Sequence, residues 1–390
     1  MIDTMVARRF LILFTLIILA FGTIAYVYNN HLIQAITFNS TPVSEEFIVD
    51  SQYLKEKETI NILVIDGGGI RGMIPLYVLQ HIEQKTGKPI DELFDIFAGV
   101  STGAIISTGL NIPSEKLHKQ YGDYKSKTDL LIQLYISQSK YLFSNPWYHK
   151  LLTGAGLFSP RFLGDRLHDV MQDHYGNDLT FTELENYVII PTLDIHTGKL
   201  HLFKNRGKEI TNLPSNKLYQ LVTAATSAET IFPPVDFMTS DKDIRQRYFA
   251  DAGIAANNPT SLVLRNVIEE FPDKKYYILI LGAGTSPLSS VTTTYGQLKN
   301  WGQMRWIQDI ITSVQRSMDK QQVYTLQIAK MLAPKGKIEY DYLNIKVTDP
   351  EVDMFDYKAI DSLKIHADRL INENSSKIDM VIKHLEQEKN

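Results

Sequence analysis

The 390-residue sequence contains no cysteine. That excludes disulfides, thiolate metal sites and cysteine nucleophiles together, although it leaves the compartment open. There is no basic excess either: the formal net charge is −4. A nucleic-acid surface would require clustered positive charge, so no nucleic-acid partner is expected. Internal repeats and low-complexity tracts are missing. So are H-E-x-x-H, EF-hand and P-loop sequences, and no metal or cofactor is implied. With 44% hydrophobic and 22% charged residues, the chain is long enough to bury one large core.

Near the N-terminus, Arg8 and Arg9 precede an uncharged apolar run, Phe10–Val27. At ~1.5 Å per residue it just spans a bilayer core, and it exceeds an ordinary signal-peptide core. No lysine or arginine follows until Lys55. The positive-inside rule therefore leaves the N-terminus cytoplasmic and carries the rest of the chain across, as a single-pass anchor with the main domain on the non-cytoplasmic side. The alternative is secretion after cleavage near Ala20-Phe21-Gly22 or Thr23-Ile24-Ala25. This divides the chain into an anchor or signal over 1–30, a polar linker over 31–58, a core over 59–290, and a mostly helical part over 291–390 that closes the same domain.

From Asn61 onward, strand-length apolar runs alternate with helical patterns. INILVID (60–66), DIFAGV (95–100), YVIIPTLDI (187–195), KLHLFKN (199–205), RYFADAG (247–253), YYILILGAG (276–284) and YDYLNIKV (340–347) read as strands. Residues 73–85, 104–110, 217–228, 261–271, 297–332 and 357–387 read as helical. The expectation is an α/β fold, a mainly parallel central sheet flanked by helices.

Chemistry concentrates in a few places. Gly99-Val100-Ser101-Thr102-Gly103 is a G-x-S-x-G sequence with a strand before it and a helix after it, the context a nucleophile elbow needs. A serine requires a base. In the order Ser…Asp…His only His366 and His384 follow Asp251, and both read as solvated surface histidines. His196 and His201 flank a hairpin turn and also read as surface positions. Asp251 ends a strand between small residues, where it serves either as a site carboxylate or as a cap for the turn Asn257-Asn258-Pro259. Gly67, Gly69 and Gly72 spell G-x-G-x-x-G, but a dinucleotide site lacks support. Asp91 and Glu92 stand at the right distance without a buried strand before them, and Asp66 would repel a pyrophosphate. The other use of such a loop is an oxyanion hole.

Together these motifs resemble the patatin-like phospholipase family. Asp66 to Gly72 (DGGGIRG) is similar to its oxyanion loop, Phe94 to Gly103 (FDIFAGVSTG) to its elbow, and Asp251-Ala252-Gly253 with Asn257-Asn258-Pro259 to its aspartate segment. Phe158-Ser159-Pro160, Ala228 to Pro234 and Leu281 to Thr285 match secondary landmarks, so the resemblance spans roughly 60–370. It implies a modified α/β-hydrolase architecture and a Ser–Asp dyad without histidine. Ser101 would be the nucleophile, Asp251 the proton acceptor, and the amides around Gly67, Gly68 and Gly69 the oxyanion hole, with Arg71 supporting the loop. The implied reaction is calcium-independent hydrolysis of glycerophospholipid or other lipid acyl esters at a membrane surface. Two residues depart from the family pattern: Ala252 replaces the more usual glycine, and Glu229 stands where many members carry proline. The aromatic-rich stretch 121–162 is a candidate cap or interfacial surface, or ordinary helix packing. A histidine-dependent esterase or thioesterase and a catalytically idle lipid-binding module are the competing classes.

Overall fold

In a computed structural model, which describes residues 2–32, 35–40, 51–207, 214–239, 247–285, 293–300, 303–347 and 353–387, the apolar runs build one sheet. Its nine strands are β1 (Ile36–Ser40), β2 (Thr59–Ile65), β3 (Ile96–Gly99), β4 (Tyr187–Asp194), β5 (Lys199–Lys204), β6 (Val235–Thr239), β7 (Arg247–Asp251), β8 (Lys275–Leu281) and β9 (Ile338–Leu343). The pairs β1–β6, β2–β3, β2–β8, β3–β4 and β8–β9 are parallel. Only β4–β5, β4–β7 and β6–β7 are antiparallel. The expected α/β class, a mainly parallel sheet between helices, is what forms.

Strand β4 is where the sheet forks. Ile189 pairs with Lys204 of β5 and with Ala98 of β3, while Thr192 pairs with His201 of β5 and with Asp251 of β7. A strand has two edges. With β5 along one of them, β3 and β7 must share the other. They run in opposite directions, so their C-terminal ends point at each other across the short gap beside Ile190 and Pro191.

Both faces of the sheet are covered, and each central strand divides its side chains between them. In β2, Leu63 and Ile65 join one apolar cluster, with Met73, Leu76 and Leu79 of the helix Met73–Thr86. Ile62 and Val64 join the other, with Val263 and Val267 of the helix Thr260–Glu270 and Leu326 of the helix Gln303–Leu332. This is why INILVI reads as an unbroken apolar run.

The 31–58 stretch departs from a linker. It supplies β1, an edge strand whose Ile36 and Phe38 are buried, and a short helix Gln52–Glu56 that buries Leu54. Ile36-Thr37-Phe38-Asn39 does alternate as a half-buried strand should, but so short a pattern inside a polar stretch does not stand out from its surroundings. The strand β6 was equally invisible. At the other end, β9 lies beyond residue 290 yet pairs with β8 over its whole length. The N-terminal helix Ile2–Val27 stands apart from the sheet. The span Phe10–Asn30, of mean hydropathy 2.6, holds no buried residue and is long and apolar enough to cross a membrane.

Phe249 ties the antiparallel arm to the rest of the sheet. It is fully buried, with ring centroids of Phe203, Phe237 and His201 at 5.3, 5.8 and 5.8 Å. Phe249→Ala is expected to cost about 3–5 kcal/mol, read as a lowered midpoint in urea or thermal unfolding.

Candidate active site

The strand β3 ends at Gly99, and the chain then turns sharply into the helix Thr102–Gly109. Ser101, at the apex, has φ 55° and ψ −119°, a backbone conformation that L-residues rarely adopt. The turn is held from below by close backbone packing. A Cβ on Gly103 would fall on the Ile65 carbonyl of β2, and one on Gly99 would fall on Gly103 itself. Glycine at both positions is therefore a packing requirement, which explains the G-x-S-x-G spacing.

The neighbouring strand β2 runs into Asp66 and the glycine loop, which closes in a single 3₁₀ turn, Gly69–Gly72, before the helix Met73–Thr86. Gly67 sits against Ser101: a Cβ there would lie 3.4 Å from the Ser101 Cβ and would strike Asn257 Oδ1. Its N–H donates to the Asn257 carbonyl at 3.0 Å. The Ile70 and Arg71 amides are also engaged, with Met354 O at 2.9 Å and Gly68 O at 3.1 Å. Among the described residues, the Gly68 and Gly69 N–H groups have no acceptor. The bare amides of this loop are thus those of Gly68 and Gly69, and Gly67 must be taken out of the expected donor set.

Asp251 is the last residue of β7 and is buried. Its Oδ1 accepts from the Gly253 N–H at 2.8 Å, and its own N–H donates to Ser227 O at 3.0 Å. Burial pushes its carboxyl up to about 7. The Ser101 hydroxyl and the Gly253 amide favour the anion, while the Glu229 charge raises the value further. The Ser101 hydroxyl thus faces the carboxylate. Ala252 has ordinary right-handed angles, φ −82° and ψ 0°, so alanine is accommodated where glycine is usual. Glu229 also acquires a location: it is half-buried on the loop after the helix Leu218–Thr226, within electrostatic reach of Asp251.

Several bracing residues carry no motif of their own. Asp319, on the long helix Gln303–Leu332, accepts from the Asn258 N–H at 3.0 Å, and Gln315 Nε2 donates to the Gly253 carbonyl at 3.0 Å. Asp66 lies beneath the glycine loop, accepting from the Tyr342 hydroxyl at 3.0 Å. Burial, with the nearby Asp319 charge, holds its carboxyl well above the ordinary range. Asp319 is itself raised to about 6 by burial. Arg71 is buried as well. Desolvation lowers its guanidinium to about 10, against the attraction of Asp353. Only tertiary structure joins these positions, since Asp319 and Tyr342 sit in segments whose patterns announce nothing beyond helix and strand.

A cavity opens from Ser101 and Gly69 between the helices Lys127–Leu142 and Gly164–Tyr175. Its walls are apolar, with Ile105, Leu134, Leu142, Phe143, Val170 and Phe232 among them. Within the 121–162 stretch, Leu134 to Phe143 line this cavity, while Trp147, Tyr148 and Phe158 are exposed.

Among the described residues, no histidine lines this cavity. His384 stacks on Tyr277 with centroids 3.8 Å apart and reaches Asn61 at 3.3 Å, near the N-terminal ends of β8 and β2 and so at the opposite end of the sheet. His366 is buried on the helix Ile360–Glu373, not solvated as its polar surroundings suggest, because that face packs on the core. His201 is half-buried against Phe203 and Phe249, whereas His196 is exposed. Asp91, which sits at dinucleotide spacing, is ion-paired with the buried Lys127 at 2.7 Å, before the start of β3 and away from the glycine loop.

An elbow serine and a glycine loop at the C-terminal ends of adjacent parallel strands, opening onto an apolar slot, define the scaffold of a lipid acyl hydrolase. The chain belongs to the patatin-like phospholipase family, whose model matches residues 63–264. Patatin-like protein 2 of Oryza sativa subsp. indica is 27% identical over 360 residues, covering 83% of this chain and 87% of that protein. Patatin-like protein 4 of Arabidopsis thaliana is 25% identical over 353 residues, covering 82% and 85%. A Solanum tuberosum relative, probable inactive patatin-3-Kuras 1, is 26% identical over 271 residues, covering 64% and 69%. Family membership is thus compatible with lost activity, and the reaction has to be argued from the site.

The Ser101 backbone makes its own prediction. Its angles mirror the polyproline region, which glycine occupies freely and alanine does not. Ser101→Gly is expected to stabilise the fold relative to Ser101→Ala by about 1–3 kcal/mol, measured by chemical denaturation of the two variants side by side.

Proposed function

We propose that this chain hydrolyses acyl esters of glycerophospholipids or related lipids through a Ser101–Asp251 dyad, without histidine and without calcium. The observation that carries this reading is convergence: a strained serine faces a buried carboxylate beside two unpaired amides. Asp251 accepts the Ser101 proton as Oγ attacks the ester carbonyl. The Gly68 and Gly69 N–H groups receive the oxyanion of the tetrahedral intermediate, and as the ester C–O bond breaks to leave an acyl-enzyme, Asp251 hands the proton to the departing lyso product. Water then attacks the acyl-enzyme as Asp251 takes its proton, and collapse of the second tetrahedral intermediate releases the fatty acid while Asp251 returns that proton to Ser101 Oγ. Arg71 keeps the loop closed from beneath, the apolar slot takes the acyl chain, and substrate that expels water tightens the Ser101–Asp251 contact.

An ordinary aspartate is too weak a base for this step. Burial of Asp251 brings its carboxyl to about 7, within reach of useful general-base chemistry. The N-terminal helix fits the same reading as an uncleaved anchor, with Arg8 and Arg9 on the cytoplasmic side and the catalytic domain opposite.

Hydrolysis of defined phospholipids by the full chain tests the dyad. Ser101→Ala and Asp251→Asn should each abolish turnover while a chelator leaves the wild-type rate unchanged. Full activity in either variant would falsify the assignment, and loss of rate on chelation would remove the calcium-independent part. The second test is the pH profile. The base must be ionised, so kcat/KM should rise with pH through about 7. The Glu229 charge raises the Asp251 carboxyl, so Glu229→Gln should move this acid limb to lower pH. An unmoved limb would disconnect Glu229 from the base.

A further inference from the structure

We propose that the segment Trp147–Phe158 is a second membrane-contacting element, seated on the bilayer surface by the end of the N-terminal helix. The proposal rests on the lipid reading above and on that helix spanning a bilayer.

The segment is built to present apolar groups outward. Trp147, Tyr148 and Leu151, on the helix Trp147–Leu152, are 76, 46 and 54% exposed. The chain then turns tightly through Gly154, Ala155 and Gly156, all at positive φ, closed by Ala155 N to Lys150 O at 2.7 Å and Phe158 N to Thr153 O at 3.0 Å. This turn projects Leu157 and Phe158, which are 50 and 71% exposed. Five large apolar side chains on one short element are more than scattered surface hydrophobicity.

The occupant follows from what is attached. The apolar span Phe10–Asn30 ends on this very element. The Tyr28 hydroxyl pairs with His149 Nδ1 at 2.7 Å, and Asn29 Nδ2 donates to the Leu152 carbonyl at 2.8 Å. Tyr28 also meets the Tyr148 ring edge-on, with centroids 6.3 Å apart. His149 is buried at the hub. Its imidazole takes the Tyr28 O–H at Nδ1 and offers Nε2–H to Pro160 O at 3.3 Å. A helix that crosses a bilayer and ends here sets Trp147 and Tyr148 at headgroup level, where aromatic side chains concentrate. A protein partner would have no such link to the span.

The element also leads to the site. Just beyond it, Arg161 N and Phe162 N donate to Thr230 O and Ile231 O, both at 2.9 Å. Phe162 packs on Phe143 and Phe232, which line the slot from Ser101. The element is therefore packed through Phe162 directly onto the wall of the slot that leads to Ser101.

The absence of cysteine makes the test direct. Single cysteines at Leu151→Cys, Phe158→Cys and, as a distant exposed control, Met380→Cys carry a nitroxide label in the full chain reconstituted into phosphatidylcholine liposomes. Labels at 151 and 158 should be accessible to oxygen and shielded from a water-soluble nickel reagent, with the label at 380 the reverse. Equal nickel access at all three overturns the proposal. In the second arm, the double variant Trp147→Ser, Phe158→Ser should lose at least about tenfold in hydrolysis of vesicle phospholipid, since each buried aromatic is worth that order in partition. Hydrolysis of a water-soluble short-chain ester should not change. Equal losses on both substrates, or none on vesicles, count against it. Immersion is read without turnover, so an inactive chain with immersed labels would sink only the hydrolase reading.

Discussion

The site depends on β3 and β7 meeting end to end along one edge of β4. A parallel sheet presents the C-terminal ends of its strands on one side, which is where β2 and β3 deliver the glycine loop and Ser101. A strand joining that array from the opposite direction would normally end at the far side. By pairing with only the second half of β4, at Thr192 to Asp194, β7 ends instead beside the level at which β3 stops. Two residues far apart in sequence are thereby held by backbone ladders, not by flexible side chains. Precision of this kind comes from rigid elements, and the chemistry needs it.

Holding such a site together costs stability. Ser101 is strained, Asp251 and Asp66 are carboxyls in a desolvated environment, and among the described residues the Gly68 and Gly69 amides lack acceptors. The offset is apolar. β2 and β8 are buried almost throughout, and both faces of the sheet are sealed by helices. The long helix Gln303–Leu332 adds polar bracing, with Asp319 fixing Asn258 and Gln315 fixing Gly253. Asn257 then fastens Gly67, so the carboxylate loop and the glycine loop are one unit. The raised Asp66 and Asp319 belong to that unit. Two buried acids close together favour keeping one proton between them, which lessens the negative charge beneath the glycine loop.

Motifs at strand-to-helix turns were readable because their causes are local. Gly103 must be glycine since β2 passes directly beneath it, and the elbow pattern records that contact. The central strands were readable because burial on both faces removes polar residues from them. β1 and β6 were not, since five residues at an edge leave too little pattern. The Gly67 amide was assigned to an anion, whereas a carbonyl some 190 residues later in the chain already occupies it. His366 and His201 were misread for a related reason, because polar neighbours in sequence do not reveal which face of a helix or hairpin packs inward.

The sequence by itself determined the scaffold class, the family, the apolar N-terminal span and the motifs that carry Ser101, Asp251 and the glycine loop. Each is encoded by residues within a few positions of one another, where spacing and residue size state the local geometry. Tertiary structure alone decided which loop amides lack an acceptor among the described residues, that Asp251 is buried with a raised carboxyl, that the Glu229 charge reaches it, and that the apolar N-terminal span ends on Trp147–Phe158. Those properties depend on desolvation and on contacts across the fold, and neither distance nor dielectric is written along a chain.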